Sequence, residues 1–133
     1  MVIEKSARAA FFLLLLFVTW QTLAPDPTES QSGLAFARWI ASVLFGDVAM
    51  ADKVAHYCAY AALGTLAAFG GITIFGRAML VLAMLVAYSA VLEFLQGLGG
   101  VRVAEWIDAG MNAAGAISGF AFASAARKTL ALR

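Results

Sequence analysis

Residues 78–96 read AMLVLAMLVAYSAVLEFLQ, a run whose one charge is Glu93. A helix rises about 1.5 Å per residue, so roughly 20 apolar residues cross about 30 Å of hydrocarbon. The run therefore predicts a membrane-spanning helix. The rest of the chain agrees: 63% of its 133 residues are hydrophobic, 13% are charged, and the mean hydropathy is +0.88. Soluble globular chains carry about 25% charge, which makes lipid the better-matched solvent.

Three more segments have comparable length: 7–24, 54–75 and 106–126. The first contains AAFFLLLLFVTW at 9–20, behind Lys5 and Arg8. That arrangement also fits a signal peptide cleaved after Ala24, but Trp20 supplies an interfacial anchor that favours retention as a helix. With the N-terminus inside, Lys5, Arg8, Arg77, Arg127, Lys128 and Arg133 collect on the cytoplasmic side, against Arg38, Lys53 and Arg102 outside. The expected fold is all-α: a single domain over 1–133, an integral membrane bundle of four transmembrane helices, with both termini cytoplasmic.

The connections support antiparallel order. FGRA at 75–78 and GLGGVRVAE at 97–105 are short, as between neighbouring helices. PDPTESQSG at 25–33 is a longer loop, because its prolines cannot continue a helix. After it, LAFARWIASVLFG at 34–46 spaces Phe36, Trp39, Ile40, Val43 and Leu44 helically but is too short to span. It predicts a short helix between the first two spans, either lying along the outer interface or packed on the bundle's outer mouth.

Net charge of +1 and the lack of a long basic run argue against nucleic acid as a partner. The lone cysteine, Cys58, cannot form an intramolecular disulfide and reads as a small buried side chain. Gly110, Gly115 and Gly119, with Ala114, Ala116 and Ala123, give the fourth span the small residues that let membrane helices approach closely.

Against this apolar background the polar residues stand out. In ADKVAHYCAY at 51–60, Asp52, Lys53, His56 and Tyr60 fall within about a 100° arc of one helix, with Asp52 placed to cap its start. Ser89, Glu93 and Gln96 share a face of the third span, and Glu105, Asp108 and Asn112 a face of the fourth, with Arg102 just before it. Antiparallel order puts all three stripes at the outer end. Ionisable groups at membrane depth cost several kcal/mol unless paired or wetted, so convergence on one interior site is expected. A packing explanation competes: Lys53 and Arg102 would pair with Asp52, Glu93, Glu105 or Asp108 and merely orient the helices.

DKVAHYCAY, LEFLQ and VRVAEWIDAGMNAAGAISG together resemble the VanZ-like family of small integral membrane proteins, named for a protein associated with teicoplanin resistance. The likeness covers about 50–122. Asp52, Lys53, His56, Tyr60, Glu93, Gln96, Arg102, Asp108, Asn112 and Gly115 occupy the family's polar positions. Where the family commonly has proline and glycine before the arginine, this chain has GGV at 99–101. The resemblance implies a helical protein of the cell envelope, and implies less about mechanism.

Two functions follow as expectations. The first is a binding site for the headgroup of an envelope lipid or a lipid-linked cell-wall or polysaccharide precursor, with a link to glycopeptide resistance. Its ligand-binding residues are Asp52, Lys53, His56, Tyr60, Glu93, Gln96, Arg102, Asp108 and Asn112. Lys53 and Arg102 are cast for phosphate, and Glu93, Gln96, Asp108 and Asn112 for sugars or amides. The alternative is a membrane-embedded hydrolase or transferase using His56 and Glu93, with Asp108 a further catalytic candidate. No serine or cysteine nucleophile motif accompanies them, and no spacing matches a metal motif, so neither a metal nor a cofactor is expected. A proton path through Glu93 and His56 lacks titratable partners in the inner halves of the spans. A homo-oligomer remains open.

Overall fold

The computed structural model describes residues 2–23, 31–98 and 105–131, and these are almost wholly helical. The helices are α1 (Val2–Leu23), α2 (Gln31–Phe45), α3 (Ala51–Phe69), α4 (Ala78–Leu98) and α5 (Trp106–Ala131), with a single 3-10 turn at Val48–Met50 before α3. Each runs through Ala- and Leu-rich sequence free of proline, and α1 stops just short of Pro25.

Helix α3 is the hub. It touches α1, α2 and α4, and packs most extensively on α5. Glycine makes that closeness possible. A Cβ on Gly64 would run into the Ala116 carbonyl, one on Gly115 into the Tyr57 carbonyl, and one on Gly119 into the Ala61 carbonyl. Tyr57 Oη and Ser118 Oγ, 2.8 Å apart, and Thr65 Oγ1 donating to the Gly119 carbonyl at 3.2 Å stitch the same seam. On its other side α3 joins a core of Phe11 and Val18 from α1 with Val81, Leu82 and Leu85 from α4. Thr19 Oγ1 and Tyr88 Oη, 2.6 Å apart, tie α1 to α4.

The end of α3 is held by two arginines. Arg8 Nε donates to the Gly70 carbonyl at 2.6 Å, and Arg127 donates to the Ala68 carbonyl while pairing with Glu4 at 3.3 Å. These satisfy carbonyls that a helix terminus leaves without intrahelical donors.

Two features depart from the sequence reading. Helix α3, the second expected span, ends at Phe69, not near 75, because Gly70 and Gly71 stop it, the latter at φ 57°. Ile74 to Arg77 then close a reverse turn through mutual backbone bonds of 3.3 and 2.9 Å. Asp52 does not cap α3: the cap position is Met50, with no side-chain bond, and it is Asp47 that accepts from Ala49 N at 2.8 Å in the preceding 3-10 turn. That leaves the Asp52 carboxylate directed at the polar cluster described below. Helix α2 packs on α3. Ala37 and Ala41 are buried against Ala51 and Val54 of α3, while Phe36 and Trp39 stack on each other, 6.1 Å apart, on the exposed side.

Among the described residues, Ala78–Leu98 is the one helix long and apolar enough by composition to cross a membrane. The exposed surface of these residues nonetheless carries many large apolar side chains, and four polar ones are buried. Leu13, Leu16 and Phe17 on α1, Val91 and Phe94 on α4, and Ile117 and Phe122 on α5 are exposed, whereas Ser89, Glu93, Asp108 and Asn112 are buried.

Candidate functional site

Glycine packing between α3 and α5 sets the register that brings their polar first turns together. Lys53 is the centre of charge. Its Nζ lies 2.5 Å from Glu105 Oε2, 3.2 Å from Asp108 Oδ1 and 4.0 Å from Asp52 Oδ2. The Glu105 and Asp108 carboxylates hold the ammonium between the first turns of α3 and α5.

His56, one turn further along, brings its Nδ1 to 3.0 Å from Asn112 Oδ1. Its Nε2 faces Asp52 Oδ1 at 3.9 Å and Asp108 Oδ2 at 4.0 Å. Asp108 thus divides its oxygens, one toward Lys53 and one toward His56. Glu93, from α4, is 6% exposed, and its Oε1 has no hydrogen-bond partner among the described residues. Such a group is costly to bury and calls for an explanation.

A cleft of about 150 Å³ opens beside this cluster. Its mouth is polar, with Asp52 and His56 of α3, Gln21 and Thr22 of α1 and Gln96 of α4. Its walls are apolar, with Phe17 and Val18 of α1 and Ala55 and Ala59 of α3, and Tyr60 lies in the lining at its core side.

No family model, curated protein or solved structure matches the chain.

The structure gathers Asp52, Lys53, His56, Asp108 and Asn112 as the sequence stripes anticipated. Glu93 stands beside them, and Gln96 and Tyr60 border the cleft. Arg102 lies outside the described residues. Two contributions exceed the expected ligand-binding set. Glu105 enters the sequence reading only as one pairing partner for Lys53 or Arg102, yet it makes the shortest contact to Lys53. The α1 wall, Phe17 to Thr22, was read only as membrane anchor, although Gln21 and Thr22 at the end of an apolar run are a visible polar signal.

The arrangement also alters the role expected of Lys53. Three carboxylates already surround it, so an incoming phosphate would have to compete with them. Among the described residues the cluster holds four carboxyl groups, Asp52, Glu93, Glu105 and Asp108, near one lysine, and such a mouth suits hydrogen-bond donors and cations better than anions.

Proposed function

We propose that the protein is a VanZ-like membrane protein of the bacterial cell envelope whose outer mouth receives the polar headgroup of an envelope lipid or lipid-linked cell-wall or polysaccharide precursor. In this reading α1, α3, α4 and α5 cross the bilayer, α2 lies at the outer interface, and both termini are cytoplasmic. The observation that carries it is the cleft, which sets a polar mouth over an apolar wall in the order a headgroup and its acyl or prenyl chain require.

The helix lengths support the crossing: α1, α3, α4 and α5 have 22, 19, 21 and 26 residues, enough for about 30 Å. Among the described residues only α4 passes as a span by length and composition, but α3 and α5 turn their charged first turns toward each other, and α5 leaves Ile117 and Phe122 on its exposed side. Gln21, Gln96 and the carboxylates of the mouth favour sugar hydroxyls or an amine on the ligand. A link to glycopeptide resistance follows if occupancy changes the antibiotic's access to its lipid-proximal target.

Ala59→Phe fills the cleft without touching the charged cluster, and is expected to reduce lipid copurified with the detergent-solubilised chain at least several-fold, as read by mass spectrometry. A lipid profile identical to wild type sinks the headgroup reading. The enzymatic alternative is tested on the same material: incubation with lipid-linked precursors gives a product that His56→Ala or Glu93→Gln abolishes, or gives none.

A further inference from the structure

His56 turns both ring nitrogens on polar neighbours. The Asn112 carbonyl oxygen, 3.0 Å from Nδ1, can only accept, so Nδ1 carries the hydrogen and the neutral ring presents Nε2 as a lone pair. That lone pair is turned toward two carboxylate oxygens, Asp52 Oδ1 at 3.9 Å and Asp108 Oδ2 at 4.0 Å. One ligand atom from each of the three residues lies within 4.8 Å of the others. One imidazole nitrogen and two carboxylate oxygens, from two helices, thus converge on one point beside the cleft.

A second observation points the same way from another helix. Glu93 is more than nine-tenths buried, its Oε1 has no hydrogen-bond partner among the described residues, and its carboxylate is within electrostatic reach of His56, Asp108 and Asp52. Lys53 approaches Asp108 on Oδ1 and leaves Oδ2 to His56.

We infer that Asp52, His56 and Asp108 form a binding site for a divalent transition cation of the Zn²⁺ or Mn²⁺ kind, with Glu93 beside it as a fourth donor or as acceptor for a cation-bound water. One imidazole nitrogen with carboxylate oxygens is a mixed set that suits these ions better than Ca²⁺. Tetrahedral donors at about 2.1 Å stand roughly 3.4 Å apart, so binding draws in the His56–carboxylate separations of 3.9 and 4.0 Å and the third, which is at most 4.8 Å. Asp52 and His56 sit one turn apart on α3, and Asp108 comes from the first turn of α5, across the glycine-packed seam. Asn112 orients the imidazole as the outer partner of a metal-bound histidine does. Asp52 and His56 also border the cleft, so the cation is reached from it, whether or not the cleft takes a lipid.

The test uses the full-length chain in detergent, stripped with a chelator, incubated with Zn²⁺ and desalted before metal analysis. About one zinc per chain is expected, falling at least tenfold in His56→Gln and in Asp108→Asn while far-UV helicity is unchanged. Glu93→Gln is expected to weaken zinc affinity about tenfold. Should a variant lose helicity, wild type loaded with Co²⁺ decides, through visible bands several-fold more intense than those of the aquo ion. Retention below a tenth of an equivalent in wild type overturns the site. So does wild-type retention by both folded variants, or a Co²⁺ spectrum matching the aquo ion.

Discussion

Gly119→Leu is expected to separate α3 from α5 and destabilise the bundle by about 3 kcal/mol, the upper part of the range for overpacking. Two effects oppose each other here. Removing a helix glycine gains up to about 1 kcal/mol of propensity, but any Cβ at this position meets the Ala61 backbone carbonyl. Backbone cannot rotate aside as a side chain can, so the steric term wins. Gly110, on the same helix, has nothing within 4 Å of the corresponding Cβ position. Gly110→Ala should therefore be neutral or mildly stabilising. Thermal unfolding in detergent reads both, with a fall on the order of 10 °C for Gly119→Leu. Equal midpoints for the two variants would contradict the proposed close contact.

Lys53→Met is the second large effect. It keeps the length of the stem but leaves Glu105, Asp108 and Asp52 facing one another without their cation. Because the Lys53 and Asp108 side chains are only 14% and 7% exposed, the loss should approach the cost of breaking a buried pair, about 3 kcal/mol. Adding Asp108→Asn should restore more than half of it, since the unpaired charge goes with its partner; strictly additive losses would refute the coupling.

What the sequence disclosed was what periodicity carries. The run at 78–96 and the helical spacing of Asp52, Lys53, His56 and of Asp108, Asn112 gave the helices and one end of the site, because each stripe is written on a single helix. Contacts between helices were less legible. Asp52 and His56 are four apart and visible as a pair, but Asp108 joins them only through the α3–α5 register, which depends on how closely Gly115 and Gly119 admit the other backbone. The α1 wall of the cleft depends in turn on Phe11 and Val18 reaching the α3 core. Asp52 misled as a cap because the chain places Asp47 and a 3-10 turn before α3, so the carboxylate is directed into the cluster.

The central claim is that this carboxylate-rich mouth faces the outside of a membrane that the helices cross. Thiol labelling tests it most directly. In a Cys58→Ala background, Val48→Cys reports the end carrying the cluster, and Thr73→Cys the opposite end, both at exposed positions. A membrane-impermeant maleimide applied to intact spheroplasts should label Val48→Cys and spare Thr73→Cys until the membrane is permeabilised. Labelling of both without permeabilisation, or of Thr73→Cys alone, would contradict the account.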